Sequence, residues 1–303
     1  EADESDGSFL FLHPLISVLT NVDRDHLVNY AGDFNVLKKS FASFLKRLPF
    51  YGIAYVCADD PESLDLMEDI KANVVTYGLN PEADYRALNV RHDKGREFFD
   101  LSIPTCTEKF SFTLNMSGKH NVQNALAAIA VATDLGIEIN LIRRSLDLFA
   151  GIDRRFQVYE KVKLSSSVVT IVDDYSHHPT EIKAVIETIR RRWPTNRLVI
   201  LFQPHRFSRT KELFEDFVNV LSESDMVILF EVYGAGEEAI AGADGRSLAR
   251  SLRSRGNFDP VFHDHFMGLD AAVSAVVESN DVLAIIGAGS IGSLVEDFLA
   301  AEV

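Results

Sequence analysis

Cysteine is scarce: Cys57 and Cys106 are the only two in 303 residues. They stand far apart, which excludes a disulfide framework and any thiolate metal spacing and leaves two small apolar side chains. No apolar run approaches the roughly 20 residues needed to span a bilayer, and none carries the flanks of a signal peptide. A cytoplasmic protein without a membrane partner is expected. Basic residues are few, 30 against 45 acidic ones, giving a formal net charge of −15. That balance argues against nucleic acid as a partner, because phosphate backbones are bound by basic surfaces. Also missing is any G-x-x-x-x-G-K-[ST] run, so these residues contain no phosphate-cradling P-loop. What is present is an ordinary globular composition, 47% hydrophobic and 25% charged, in a chain long enough for two separately cored domains.

The second half is the easier to read. Short apolar runs at 168–172, 198–202, 226–230, around Val261 and at 282–286 alternate with helical patterns near 180–192, 209–222, 245–255, 266–279 and 291–301. Such alternation predicts a parallel sheet covered by helices, with a ligand site at the carboxyl ends of the strands. The first half is more mixed. A helix is predicted from about Asn35 to Arg47, a strand over Gly52 to Cys57, a turn at "ADDPES" and an antiparallel portion near 84–90, 97–102 and 109–115. A long apolar helix from Asn121 to Leu135 follows. "AGIDRRF" closes this half, which divides the chain into domains 1–153 and 154–303.

Five stretches carry chemistry. "GAGSIG" (287–292) has the G-x-G-x-x-G spacing of a dinucleotide turn, but no further strand and no acidic residue about 20 positions on follows it in this sequence. An NAD site is therefore not expected; the turn either offers backbone N–H groups to an anion or merely bends the chain. "EADESD" (1–6) with "TNVDRDH" (20–26) supplies hard oxygen donors and an imidazole suited to a divalent metal, or else a solvated acidic turn. In "GKHNVQNA" (118–125), Asn121 and Asn124 share one face of a helix start, where their amides can read a donor and acceptor edge such as adenine beside His120, or simply cap the helix. "DDYSHHPTE" (173–181) delivers Asp173, Asp174, Tyr175, His177 and His178 to a strand end, and a site is favoured over packing there. "FQPHRFSRT" (202–210) places Arg206 and Arg209 beside His205, a cationic fork suited to carboxylate or phosphate.

These motifs in this order, together with "LPFYG", "CADDP", "DRRF", "EVYGAGE" and "GADGRSL", resemble the Mur ligase family over nearly the whole chain. The resemblance implies an α/β protein: the remainder of a central mixed-sheet ATPase domain followed by a Rossmann-like parallel α/β domain, with the first domain and the P-loop upstream. It implies ATP and Mg²⁺, and UDP-N-acetylmuramate and L-alanine as substrates of an amide-forming ligation through an acyl phosphate in peptidoglycan precursor synthesis. By motif position, Glu1 and His26 match metal ligands, and His120, Asn121, Asn124, Arg155 and Asp174 match nucleotide contacts. His177, His205, Arg206 and Arg209 match catalytic positions, while Tyr175, His177, Arg206 and Arg209 match substrate contacts. Lys38 or Lys39 stands near the position of a carbamylated lysine in several relatives, and Ser176 and Phe207 replace residues often Gly and Tyr. A monomer or homodimer is expected. Two alternatives stay open: a sister ligase that attaches a recycled tripeptide, and a non-catalytic nucleotide- or amino-acid-binding fragment.

Overall fold

Uninterrupted apolar runs form the central strands, and the rest of the architecture covers them. The computed structural model describes residues 2–103, 106–265 and 268–300. It divides into two units, Glu1–Ala150 and Gly151–Val303.

The first unit is built from β1 (Ile16–Leu19), α1 (Phe34–Leu45), β2 (Ile53–Cys57), α2 (Pro61–Asp65), β3 (Asn73–Gly78), β4 (Tyr85–Asp93), β5 (Arg96–Ile103), β6 (Cys106–Leu114), α3 (Lys119–Asp134) and α4 (Ile139–Leu148). Its six strands lie in the order β1 to β6. Pairing is parallel from β1 through β4 and antiparallel from β4 through β6. The β4–β5 hairpin turns at Lys94–Gly95, both with positive φ, the geometry that tight hairpin turns prefer. Side chains on β2 alternate: Tyr55 and Cys57 pack on the Leu126 and Ile129 side of α3, while Ala54 and Val56 pack with Phe9 and Leu45 on the other face. The expected antiparallel portion is present, whereas β3 and α4 were not anticipated from the sequence.

The second unit contains β7 (Gln157–Leu164), β8 (Ser167–Asp174), α5 (Pro179–Arg192), β9 (Leu198–Phe202), α6 (Phe207–Glu212), α7 (Phe214–Leu221), β10 (Met226–Phe230), α8 (Gly245–Arg255), β11 (Val261–His263), α9 (Leu269–Ser274), β12 (Val282–Ile286) and α10 (Ser293–Ala300). The strand order is β11-β10-β9-β12-β8-β7. Every residue of β9 and β12 is buried, because helices cover both faces. On one face Val172, Ile200 and Ala284 meet α5, α7 and α8; on the other Ile171, Leu201 and Ile285 meet α9 and α10.

The sheet is mixed rather than parallel throughout: β7 runs antiparallel to β8. The reason is local, since only Ser165 and Ser166 join the two strands, and a connection that short makes a hairpin. The helical pattern at 209–222 divides into α6 and α7 at Leu213, whose ψ of 25° leaves the helical range. No described helix is long and apolar enough to cross a membrane.

Candidate functional site

In the second unit the candidate residues collect at the carboxyl ends of β8, β9 and β10. Strand β8 ends in two buried aspartates, Asp173 and Asp174. Asp174 serves the loop: Oδ2 accepts from the Phe156 N–H at 2.8 Å, and Oδ1 accepts from the Ser176 N–H at 2.8 Å and from the Ser176 hydroxyl. Burial raises its carboxyl above the usual range. Asp173 is pushed up to about 6, chiefly by burial, with the guanidinium of Arg154 acting in the opposite direction.

The chain then exposes Tyr175 and turns into α5. This helix begins with a capping box: His178 Nδ1 accepts from the Thr180 N–H at 3.3 Å, and Glu181 Oε2 accepts from the N–H groups of His177 and His178 at 2.9 and 3.2 Å. Pro179, with φ already fixed, occupies the first turn. His178 thus builds the helix start, while its neighbour His177 faces the cluster. His177 Nδ1–H donates to the Tyr175 carbonyl at 3.1 Å, and its ring lies edge-on to Tyr175 at 5.6 Å and 5.7 Å from His205. Arg155 lies 5.6 Å over the Tyr175 ring and 3.6 Å from Glu181. In Glu181, burial works to raise the carboxyl, but His177, its N–H and Arg155 outweigh it and hold the group low.

After β9, His205 stacks on Tyr233 at 5.5 Å, and the backbone between them is pinned by Arg206 N–H to Tyr233 O and Tyr233 N–H to Pro204 O, each 2.8 Å. Arg206 takes a positive φ of 70°, unusual for a residue with a Cβ. Arg209 is buried and donates to the His205 carbonyl at 3.3 Å. Burial, then its neighbours His177, Arg209 and Arg206, push His205 down to about 4, so its ring is neutral at pH 7. Glu237, from the loop after β10, closes this side. It accepts from the Ser208 N–H at 2.9 Å and hydroxyl at 2.7 Å and lies 3.5 Å from Arg206. The cationic fork therefore already faces a carboxylate of the protein. Gln203, Tyr233 and Glu237 were not anticipated, although "EVYGAGE" marked the loop holding the last two.

The glycine turn is shaped by protein groups. Gly287 N–H donates to Asp174 O at 3.2 Å, and Ile291 N–H donates to Gln203 Oε1 at 3.1 Å. A Cβ on Gly289 would meet Gln203 Oε1 at 2.6 Å.

In the first unit, His120, Asn121 and Asn124 stand in the first turns of α3. Gly118, not an asparagine, is the N-cap residue, with φ of 111°. Asn121 is buried, and its amide donates to Ser117 O at 2.8 Å; Asn124 is exposed and His120 half-buried. The helix start is held by fully buried Glu97, which accepts from Gly118 N–H at 2.9 Å and lies 3.2 Å from His92 Nδ1. Gln123 donates to Asp59 at 2.6 Å, tying the same turn to the loop after β2. Of the "ADDPES" acids, Asp60 caps α2 through the Ser63 N–H at 2.8 Å, whereas Asp59 accepts from Leu79 and Asn80.

Of the two expected metal ligands, Glu1 lies outside the described residues. His26, with φ of 54°, opens a 3₁₀ turn and lies 3.6 Å from Asp25. Asn29 and Tyr30 in that turn bond to the carbonyls of Ser5 and Glu4, which brings the acidic segment alongside. Among the described residues no group of three or more His, Cys, Asp or Glu could hold a metal ion, so His26 would hold Mg²⁺ only together with oxygen donors from outside them. Lys38 is ion-paired to Glu62 and Asp65 at 2.5 and 3.1 Å, contacts that raise its pKa; Lys39 is exposed.

Residues 2–132 match the Mur ligase middle domain and residues 154–289 the Mur ligase glutamate ligase domain. Among solved structures, the chain is similar to UDP-N-acetylmuramate-alanine ligase from Thermotoga maritima, with 25% identity and a TM-score of 0.75 over 100% of this chain and 63% of that one. MurF from Acinetobacter baumannii shares the fold at 17% identity and a TM-score of 0.72, over 96% of this chain and 61% of that one. MurF from Thermotoga maritima, in complex with ADP, does so at 19% identity and 0.70, over 95% and 62%. The chain thus spans less than two thirds of the length of each of these relatives. With the middle and C-terminal domains both matched in sequence and in fold, the chain belongs to the Mur ligase family.

Proposed function

We propose that the chain is part of an ATP-dependent ligase of peptidoglycan precursor synthesis that joins L-alanine to the lactoyl carboxylate of UDP-N-acetylmuramate. The carboxylate is phosphorylated by ATP, the amine of alanine attacks the acyl phosphate to form the C–N bond, and phosphate leaves with the C–O electron pair. Family membership supports the general chemistry, and the ADP-bound relative supports a nucleotide substrate.

The observation that carries the amino-acid reading is the Tyr175–His177–His205–Tyr233 ring ladder with buried Arg209 behind it. Fixed guanidinium groups would oppose the charge of a substrate carboxylate, with the rings standing beside it. By motif position, His120, Asn121 and Asn124 of the first unit are proposed as nucleotide contacts, as separately is Arg155 of the second, and Glu1 and His26 as Mg²⁺ ligands that need further oxygen donors beside them. Asp174 has a supporting part, because its carboxylate is already filled by Phe156 and Ser176. Alanine is favoured over a tripeptide on the reading that the cluster of His205, Arg206 and Arg209 would fill space that a larger peptide needs.

Phosphate release by the full-length protein with ATP, UDP-N-acetylmuramate and either L-alanine or the tripeptide tests this. Turnover with alanine, and a rise in alanine KM of at least about tenfold in Arg209→Lys, is expected, because lysine loses the planar fork. Turnover with the tripeptide alone would overturn the alanine assignment.

A further inference from the structure

The glycine-rich turn and the "DRRF" segment lie 133 positions apart yet meet through one side chain. Arg154 Nη2 donates to Gly287 O at 2.6 Å, and Nε lies 3.5 Å from Asp173 Oδ2. Its guanidinium carbon stands 5.2 Å over the Tyr175 ring, and its carbonyl accepts the Tyr175 N–H at 2.8 Å. Its own N–H donates to Gln157 Oε1 at 3.1 Å, fixing the start of the side chain. A Cβ added at Gly292 would fall 2.4 Å from the guanidinium carbon. A side chain at position 292 would therefore have to push the guanidinium away from Gly287 and Asp173. Asp173 Oδ1 is buried with no hydrogen-bond partner among the described residues, so its carboxylate depends on Arg154 for compensation.

We propose that Arg154 is a positioning residue: held by Asp173, it brackets the 287–292 turn to the end of β8 and fixes the ring of Tyr175. The three glycines of the turn then serve close approach within the protein, with Gln203 against Gly287 and Gly289 and Arg154 against Gly292. A phosphate is not what they make room for. The bracket stands on geometry alone; its effect on the amino-acid substrate rests on the ligase reading, in which Tyr175 touches alanine.

The test is a double-mutant cycle in the full-length protein, with Arg154→Ala and Gly292→Ala, following urea unfolding by the fluorescence of Trp193, the only tryptophan in these 303 residues. Gly292→Ala alone should lower the midpoint clearly, and the same change in the Arg154→Ala background should lower it little, because the space has been vacated. Equal shifts in both backgrounds would overturn the bracket. If Arg154→Ala does not fold, Arg154→Lys takes its place, since it keeps a charge beside Asp173 but lacks the planar carbon that a Cβ at position 292 would strike.

Steady-state kinetics supply the second readout. Arg154→Lys should raise the alanine KM about tenfold while kcat changes less than about threefold, a split that simple loss of folded protein cannot produce. Unchanged KM in an active enzyme would overturn the positioning role. A folded wild-type protein that ligates neither substrate would defeat the ligase reading instead, and the cycle alone would then decide the bracket.

Discussion

Lowering the pH should shift the stabilities of two single variants of the second unit in opposite directions relative to wild type. His205 titrates near 6.5 in the unfolded chain but is pushed down to about 4 in the fold, by burial first and then by neighbouring cations. Between those values the unfolded state binds a proton that the native state refuses, so stability falls as pH falls. At about 1.4 kcal/mol per pH unit, the full window is worth at most about 3 kcal/mol, reduced by solvent screening of a half-buried ring. Asp173 has the opposite sign. Its folded value of about 6 lies above the usual 3.8, so the native state takes up a proton first and stability rises as pH falls, by at most about 3 kcal/mol with the same discount. In the wild-type protein these two contributions oppose each other between pH 6 and 4. His205→Asn removes the first, and its stability relative to wild type should climb as pH drops; Asp173→Asn removes the second, and its relative stability should decline. Urea titrations at pH 7.5, 6, 5 and 4.5 read the difference through Trp193, which lies in this unit stacked on Phe156. Any pH-independent cost of losing a ring or carboxylate drops out of the comparison. Parallel profiles for all three proteins would refute the assignment of these protons.

Two further outcomes follow from the same unit. In Glu237, burial raises the carboxyl but the Ser208 bonds and Arg206 outweigh it, holding it below its usual value; Glu237→Gln should cost about 1 kcal/mol at pH 7, a cost that shrinks as pH falls through the depressed pKa and the wild-type carboxylate is protonated, and urea titration would show it. Gly245→Ala would put a Cβ 2.1 Å from the Phe230 carbonyl oxygen. The Phe230 backbone cannot yield and the Phe262 ring stands only 2.8 Å away, so a loss of more than about 3 kcal/mol is expected, visible as lost soluble yield or a collapsed melting transition.

The central strands of the second unit were legible because a strand buried on both faces has no polar position to interrupt it: Leu198–Phe202 and Val282–Ile286 read as continuous apolar runs. Strand β7 was not, because Gln157–Leu164 carries Glu160, Lys161 and Lys163 and is specified by its hairpin with β8 rather than by its own pattern. The break at Leu213 was hidden by a hydrophobic period that continues across it. The gathering of Tyr175, His177, His205 and Arg209 could be anticipated, since strand ends of a doubly covered sheet share one edge. What could not be read was which groups the protein spends on itself. Asp174, Asn121 and Lys38 look like free ligands in the sequence, yet each is engaged by partners that only the fold brings near. Arg154, the isolated arginine of a pair, gains its meaning from a glycine 138 positions away (292 − 154).

The edges of the second sheet bear on a different property, resistance to self-association. Its outer strands are β11, only three residues long, and β7, whose ladder slips between Tyr159 and Val162 where Lys161 adopts a φ of 62°. Exposed Glu160 and Lys161 stand at that bulge, with Glu160 paired to Arg192 at 3.2 Å. A short edge at one end and a bent, charged edge at the other give an incoming strand no straight row of N–H and C=O groups to copy. At the high concentrations of expression or storage, this unit should stay free of strand-to-strand aggregation despite a core dominated by β-branched and aliphatic runs.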